Sequence, residues 1–340
     1  MKVKQIVLAS RPKGLPTKDQ FRTETITLPE LEDGDVLIKA LYFSVDPYMR
    51  GRMNDVKSYT APYKIDEPIM GGGIGKIIDT KAAGFQKGDI VQGFFPWATE
   101  FVHKANSLQK IDTNVVPAPY YLGILGMPGL TAYFGLLYIG KPKEGETVAI
   151  SGAAGAVGIV VGQIAKLKGC RVIGIAGSDE KIKMLKDEFH LDEVINYKTT
   201  TDMRKAIKEA CPDDVDIYFD NVGGTISDAV IANINFHARI VLCGQIALYN
   251  TTEIPTGPRL QPMLLTRSAL MQGFIVGNFK DHFREGIEQL SQWVKEGKLK
   301  YEETIVEGFD KLPEAFLALF LREKQRKNGC ESLSSEQTIF

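Results

Sequence analysis

A short run of small residues has the clearest chemical purpose in this chain: Gly152-Ala-Ala-Gly155-Ala-Val-Gly158. It follows an alternating apolar stretch at 147–151 and precedes helically spaced apolar residues from Ile159 to Leu167. A tight glycine turn between a strand and a helix presents N–H groups and the positive end of the helix dipole to an anion. A second apolar strand at Arg171–Ile175 completes a βαβ unit. The pattern therefore predicts a pyrophosphate site formed by Gly155, Ala156, Val157 and Gly158.

The end of the second strand indicates which dinucleotide is bound. Folds that bind NAD usually place Asp or Glu there, where the carboxylate accepts the ribose hydroxyls. Here the strand ends Ile175-Ala176-Gly177-Ser178, and Lys181 follows one turn into the next segment. A lysine in place of that carboxylate favours a 2′-phosphate, so we expect NADP(H). Asp179 or Glu180 is the alternative ribose acid, although both suit the first turn of a helix better.

Length, charge and cysteine spacing limit the functional classes. The chain has 340 residues, enough for two domains with separate cores, and a net charge of −1. Nucleic acid and membrane partners are therefore not expected, and we expect neither a signal peptide nor a membrane span. The cysteines lie far apart without CxxC spacing, which suits reduced thiols in a cytoplasmic protein: Cys170, Cys211, Cys243 and Cys330.

The pattern of elements changes along the chain. Up to about residue 125 the sequence predicts a β-rich domain, with strands at Val3–Ala9, Phe21–Leu28, Asp35–Ser44, Gly73–Thr80 and Ile90–Phe95. Helices are predicted at Tyr120–Leu125 and Gly129–Ile139. After residue 147 strands and helices alternate, which indicates a mostly parallel, doubly wound sheet that includes a strand at Met271–Val276. A strand at Tyr301–Val306 and a helix at Leu312–Leu321 are expected to return to the first domain.

Several motifs stand in the order and spacing of one enzyme family. The chain resembles the zinc-free branch of the medium-chain dehydrogenase/reductases, which includes leukotriene B4 12-hydroxydehydrogenase/prostaglandin reductases, plant alkenal double-bond reductases and bacterial curcumin reductases. The motifs are Asp35-Val-Leu-Ile-Lys, Ser44-Val-Asp-Pro-Tyr-Met-Arg-Gly51, Gly126-Met-Pro-Gly-Leu-Thr-Ala-Tyr133, Gly155-Ala-Val-Gly158, Phe219-Asp-Asn-Val-Gly-Gly224 and Cys243-Gly244. The resemblance covers residues 1 to about 320.

The resemblance implies a two-domain α/β architecture. A Rossmann domain with a doubly wound parallel sheet, at residues 127–300, is inserted into a β-rich, GroES-like substrate domain at 1–126 and 301–321. The active site is expected in the cleft between the two domains. No metal is expected, because Ser44–Gly51 contains no cysteine and Gly71-Gly-Gly73 replaces the Gly-His-Glu of the zinc-containing members.

Further cofactor contacts are implied by the resemblance. Ser178, Lys181 and Tyr197 are expected around the 2′-phosphate, although Lys181 also suits a surface helix and Tyr197 a strand end. Asn221, Cys243 and Gly244 follow apolar strands where such folds bind ligands, and the cysteine is expected to contribute backbone contacts rather than thiol chemistry. The remaining expected contacts are Thr131, Gln245, Ile246 and Tyr249 near the nicotinamide, and the backbone of Phe274, Ile275 and Val276 at its carboxamide. Capping or core packing explains Thr131 equally well.

The expected reaction is NADPH-dependent reduction of the C=C bond of α,β-unsaturated ketones or aldehydes. Tyr48 is the candidate catalytic side chain, with a structural wall residue as the alternative. The family positions suggest an apolar substrate pocket lined by Tyr42, Tyr48, Met49, Tyr249 and Met263. The alternatives are a quinone reductase of the same superfamily and an NADPH-binding protein without turnover. The resemblance also suggests a homodimer joined through the cofactor domains.

The last residues depart from the family pattern. Members of this branch end in a Gly-Lys-Asn-x-Gly-Lys segment and an apolar strand, whereas residues 322–340 are basic and then serine-rich. Arg322–Ser332 can be back-translated so that loss of one base reads Gly-Lys-Asn-Lys-Gly-Lys-Met-Val-Val-Lys. We therefore predict an atypical, disordered tail at 322–340 without a strand, and the hypothesis for its origin is a single-base frameshift just before residue 322.

Overall fold

The predicted βαβ unit lies at the centre of a parallel sheet. The computed structural model describes residues 1–301, 303–321 and 338–339. The chain divides into two units: unit 1 comprises Met1–Gly123 and Glu303–Phe340, and unit 2 comprises Ile124–Glu302. The boundaries predicted at 126/127 and 300/301 lie a few residues from these.

Unit 2 contains a sheet of parallel strands flanked by helices. Its strands are β8 (Thr147–Ser151), β9 (Arg171–Ala176), β10 (Glu193–Asn196), β11 (Val215–Asp220), β12 (Ile234–Leu242) and β13 (Leu270–Gly273). They are ordered β10-β9-β8-β11-β12-β13, and every neighbouring pair is parallel. The order reverses direction between β8 and β11, which is the point where doubly wound sheets bind ligands.

The helices of unit 2 cover a strongly apolar sheet. They are α2 (Met127–Phe134), α3 (Ala156–Leu167), α4 (Asp179–Asp187), α5 (Met203–Ala210), α6 (Gly224–Ile231), α7 (Gln261–Thr266) and α8 (Phe283–Lys295). Every residue of β8 is buried, as expected of a central parallel strand covered on both faces. A π-helical turn at Gly135–Gly140 extends α2. None of the helices in the described part of the chain has the length and apolar character needed to cross a bilayer.

Unit 1 is mainly antiparallel. Its strands are β1 (Lys2–Leu8), β2 (Phe21–Thr27), β3 (Asp35–Val45), β4 (Met70–Thr80), β5 (Ile90–Pro96), β6 (Glu100–Lys104), β7 (Gln109–Lys110), β14 (Thr304–Ile305) and β15 (Thr338–Ile339). The short helix α1 (Met49–Arg52) follows β3, and α9 (Leu312–Ala318) returns from the far end of the chain. The helix α9 belongs to the same buried cluster as Trp97 and Phe95, so residues distant in sequence share one core.

Three local predictions are wrong. The helix expected at Tyr120–Leu125 is a 3₁₀ turn at Ala118–Tyr121. The strand expected at Met271–Val276 ends at Gly273, so Phe274, Ile275 and Val276 lie beyond it. A strand was not expected after residue 321, yet Thr338–Ile339 form β15, which pairs with Val45 and Ser44 of β3. Residues 322–337 and 340, on which the disorder and frameshift predictions depend, lie outside the described residues.

Candidate functional site

The glycine turn after β8 brings the start of α3 close against the loop. Gly152 adopts φ +60°, which favours glycine, and Gly155 caps α3 with extended backbone angles. A Cβ at position 158 would lie 2.8 Å from both Cα and the carbonyl oxygen of Ala153. Only glycine therefore allows this close approach of helix to loop. The first N–H groups of α3, at Ala156 and Val157, lie at the positive end of the helix.

A second cluster forms at the end of β9. The Ser178 hydroxyl accepts a hydrogen bond from the Lys181 backbone N–H at 3.4 Å and caps α4. The Tyr197 ring packs on Gly177, where an added Cβ would lie 2.7 Å from ring atom Cε1. The Tyr197 N–H donates to the Ala176 carbonyl at 3.1 Å. The fold therefore brings Ser178, Lys181 and the half-exposed Tyr197 to one strand end, and these residue types suit a phosphate monoester.

The two acids near this cluster belong to the helix. Asp179 and Glu180 occupy the first turn of α4, where the helix dipole favours negative charge. The Asp179 carboxylate accepts a hydrogen bond from the Asn196 side-chain amide at 2.9 Å. The structure thus gives Asp179 a local structural partner, in agreement with the first-turn interpretation.

Asp220 lies at the point where the strand order reverses between β8 and β11. It was not identified as a site residue from the sequence. It is fully buried at the end of β11. Its Oδ1 accepts hydrogen bonds from the Ser151 hydroxyl at 2.9 Å and the Tyr218 hydroxyl at 2.8 Å. The same atom accepts from the backbone N–H groups of Val222 and Gly223 at 3.0 and 2.9 Å. The signal that could have identified it is an acidic residue that ends an apolar strand.

The predicted residues Asn221, Cys243, Gly244 and Gln245 are arranged around Asp220. The Asn221 side chain donates to the Ser151 carbonyl at 2.8 Å, which ties β11 to β8. The N–H groups of Cys243 and Gly244 donate to the Asp220 carbonyl at 2.9 and 3.0 Å. The Gln245 amide donates to Asp220 Oδ2 at 3.0 Å. Two loops are therefore fixed to each other through one carboxylate.

Burial disfavours the ionised forms of two side chains in these loops, Cys243 and Tyr249. Burial raises the pKa of the Cys243 thiol to about 12, with a further contribution from the Asp220 charge. The thiol is therefore protonated near neutral pH, which agrees with a backbone role for this residue. Burial also raises the pKa of Tyr249, whose hydroxyl accepts the Gln245 backbone N–H at 3.4 Å. Ile246 begins the 3₁₀ turn that ends at Leu248, and its N–H faces the Asn221 carbonyl at 3.4 Å.

The remaining predicted cofactor residues have mixed environments. The buried Thr131 hydroxyl donates to the Met127 carbonyl at 2.6 Å, within its own helix. Phe274 is a core residue that packs edge-on against Phe219 at 6.4 Å between ring centroids. The Ile275 N–H donates to the Asn278 side chain at 2.9 Å, whereas Val276 is half-buried. A carboxamide contact of this segment stays a prediction.

In unit 1, Tyr48 lies in the loop between β3 and α1. Its ring packs against the core of unit 1, and its hydroxyl has no hydrogen-bond partner among the residues that the structure describes. Burial and then the charge of Asp46 raise the pKa of Tyr48 well above its usual value. The phenol is therefore a hydrogen-bond donor at every physiological pH.

The expected apolar pocket lining is wrong for Met49. This side chain is 1% exposed and belongs to the unit 1 core with Met53 and Trp97. Tyr42 packs against the small cluster of Ile74 and Leu122 in unit 1, whereas Met263 packs against the main core of unit 2. The sequence could not distinguish a methionine on a pocket wall from one in a core, because both environments favour an apolar side chain.

Asp46, beside Tyr48, makes stability depend on pH. Burial raises the pKa of its carboxyl to about 6, opposed by the hydrogen bond from Ser44 at 2.8 Å. An unfolded aspartate releases its proton near pH 4, so the folded chain binds more protons between about pH 4 and 6. The free energy of unfolding should therefore fall by about 3 kcal/mol as pH rises through this window.

Asp46→Asn should remove this slope in urea unfolding and raise stability at pH 7 by about 2 kcal/mol, because the amide carries no charge to desolvate. The exposed Asp33→Asn is the matched control and should leave the slope in place. An unchanged slope in Asp46→Asn would contradict the assignment.

Two stretches of the chain match known oxidoreductase families. Residues 4–111 match a family described as the N-terminal domain of oxidoreductase, and residues 156–294 match one described as zinc-binding dehydrogenase. The donor set does not fit a catalytic zinc, because Ser44–Gly51 and Gly71–Gly73 contain neither cysteine nor histidine. Among the described residues, no group of three or more His, Cys, Asp or Glu side chains could hold a metal ion.

Individual proteins are similar over nearly the whole chain. A protein named as an NADP-dependent oxidoreductase, YfmJ of Bacillus subtilis (strain 168), is 57% identical over 95% of this chain and 96% of its own length. NADPH-dependent curcumin reductase of Escherichia coli (strain K12) is 41% identical over 92% of both chains. The crystal structure of CurA from Vibrio vulnificus in complex with NADPH matches with a TM-score of 0.90 at 40% identity, over 99% of this chain and 98% of that one.

Proposed function

This chain belongs to the zinc-free branch of the medium-chain dehydrogenase/reductases and is an NADP-dependent oxidoreductase, and on that premise we propose that it reduces the C=C bond of α,β-unsaturated ketones and aldehydes. The binding of NADP is supported by two features taken together: the glycine turn at 152–158, and the cluster of Ser178, Lys181 and Tyr197 at the end of β9. The substrate class is supported by the NADPH-dependent curcumin reductase among its relatives. We further propose that the protein works in the cytoplasm.

The proposed reaction transfers one hydride and one proton. NADPH, held by the glycine turn at 152–158 with Ser178, Lys181 and Tyr197, would supply the hydride that adds to the β-carbon of the substrate. The C=C electron pair then forms the new double bond between the α-carbon and the carbonyl carbon, and the carbonyl π pair moves onto the oxygen to give an enolate. A proton from solvent then adds to the α-carbon, and the product is a saturated carbonyl compound. Tyr48, as a protonated phenol, is assigned to donate a hydrogen bond to the oxygen on which negative charge develops.

The direct test follows NADPH absorbance with 3-nonen-2-one as substrate, with NADH and a simple quinone in parallel reactions. The proposal expects rapid, enone-dependent oxidation of NADPH. Turnover of the quinone but not of the enone would favour a quinone reductase. Tight NADPH binding without turnover of either acceptor would favour a binding protein, and either outcome would overturn the proposal.

Lys181→Ala should change the choice between the two nicotinamide cofactors. Loss of one charge-assisted contact with the 2′-phosphate should raise KM for NADPH about ten- to a hundredfold, with little effect on NADH. The exposed Lys183→Ala in the same helix is the matched control and should leave both constants near wild type. If both variants raised KM for NADPH equally, Lys181 would act only through its contribution to the surface charge and not through a contact with the 2′-phosphate.

We also propose a homodimer joined through β13. This strand is at the edge of the parallel sheet. Its first residue, Leu270, is 50% exposed, and Ile275, just beyond its end, is 38% exposed. An edge strand of this kind can pair with its copy across a two-fold axis. Sedimentation should give a dimer for the wild type and a monomer for Leu270→Lys/Ile275→Lys. The control Leu167→Lys, at an exposed leucine of α3, should stay dimeric; a monomeric wild type would refute the interface.

A further inference from the structure

The guanidinium of Arg52 is fixed between aromatic rings. Its Cζ lies 4.1 Å from the centroid of the Tyr63 ring and 5.2 Å from that of Phe94. Its Nε donates to the Ala61 carbonyl at 3.0 Å. Tyr63 is itself held in place, because its N–H donates to the Arg52 carbonyl at 2.7 Å and its hydroxyl to the Met70 carbonyl at 2.7 Å. A planar guanidinium held in this way is preorganised to bind a second group.

The local charge around Arg52 is not neutralised. Within the described residues, no carboxylate lies within ion-pair distance of Arg52. The one acid between residues 49 and 63, Asp55, pairs with Arg11 at 3.6 Å. Arg50 donates to the Gly14 carbonyl and the Asn54 side chain, both at 2.8 Å. Arg52 therefore carries a positive charge that the fold positions but does not pair.

Arg52 lies beside the candidate catalytic tyrosine. Tyr48 directly precedes α1 and Arg52 is its last residue. A separation of four residues places side chains on the same face of a helical turn. The charge of Arg52 opposes the rise in the pKa of the Tyr48 phenol, so the two groups interact electrostatically. The exposed side chains of Tyr59 and Phe94 add apolar surface nearby. Because the two residues are one helical turn apart, a ligand that reaches both polar groups must carry an acceptor oxygen and an anion in the same small molecule.

We propose that Arg52 binds a substrate carboxylate and thereby selects enones that carry the acid close to the conjugated carbonyl, as 4-oxo-2-enoic acids do. In such a substrate the ketone oxygen accepts from Tyr48 while the carboxylate binds the guanidinium. The inference rests on the proposed C=C reduction. It adds a specificity-determining residue and a class of substrate to that reaction.

The test compares 3-benzoylacrylate with its ethyl ester, which has the same conjugated ketone but no charge. The wild type should show a higher kcat/KM for the acid, and added salt should weaken that preference because it screens the ion pair. Arg52→Gln should lower the acid-to-ester ratio about ten- to a hundredfold. Arg52→Lys should recover only part of it, since an ammonium keeps the charge but lacks the planar, stacked geometry.

Controls separate this inference from the proposed function. Arg284→Gln, at a side chain that is 90% exposed in α8, should leave the ratio at the wild-type value. An equal loss for acid and ester in Arg52→Gln, accompanied by a lower Tm, would overturn the inference in favour of a structural role. Reduction of the ester without any preference for the acid would overturn it as well. Failure to reduce either compound or 3-nonen-2-one would refute the proposed function itself.

Discussion

Asp220→Ala should cause a large loss of stability, by about 4 kcal/mol or more, and lower Tm by roughly 10 °C. The mutation removes one acceptor and leaves its donors buried: the hydroxyls of Ser151 and Tyr218, the N–H groups of Val222 and Gly223, and the Gln245 amide. Each unsatisfied buried donor costs about 1–3 kcal/mol, although relaxation and water recover part of the sum. NADPH binding should weaken in parallel, because the loops after β11 and β12 are both attached to this carboxylate.

Two variants test the explanation for Asp220. Asp220→Asn keeps one acceptor oxygen, so it should lose clearly less stability than Asp220→Ala, with the Gln245 amide rotated to present its oxygen. Asp187→Asn, at an exposed position in α4, should unfold at the wild-type temperature. Differential scanning calorimetry with and without NADPH measures both effects. A Tm for Asp220→Ala within about 2 °C of wild type would mean that the network contributes little.

Gly158→Ala should impair NADPH binding at least tenfold and lower stability by about 2 kcal/mol. The added methyl group would lie 2.8 Å from two Ala153 backbone atoms and also against the Gly152 carbonyl. Backbone cannot rotate away as a side chain can, so either α3 or the glycine turn must move. Both movements displace the N–H groups at Ala156 and Val157 from the positions assigned to the pyrophosphate.

The matched control for Gly158 is Gly51→Ala. Gly51 is also helical, but no heavy atom lies within 4 Å of the site of an added Cβ. Alanine there should be neutral or stabilise by up to about 1 kcal/mol, because it restricts the unfolded chain and favours helix. Isothermal titration with NADPH and urea unfolding measure the two quantities. If Gly158→Ala bound NADPH with wild-type affinity, the assignment of the glycine turn to the cofactor site would be wrong.

The parts of the fold that depend on residues close together in the sequence could be predicted. Apolar alternation and glycine spacing between residues 147 and 177 specify a βαβ unit, and the structure forms it with boundaries close to those predicted. The lack of a carboxylate at the end of β9 itself, together with Lys181, indicated the phosphorylated cofactor. Such signals survive in the sequence because hydrogen bonds, helix caps and turns act over a few residues.

Only the tertiary structure decided which side chains meet across long sequence separations. Ser151 and Asp220 are 69 residues apart, and Gln245 is a further 25 residues away, yet they share one network because parallel strands end at the same edge of the sheet. Phe94 lies in a strand 42 residues beyond Arg52, so the contact between the guanidinium and the Phe94 ring follows from tertiary packing alone. Burial decided the rest: Met49 is as apolar as a pocket wall requires, but it fills the core, since local sequence does not encode which apolar surface another strand or helix will cover.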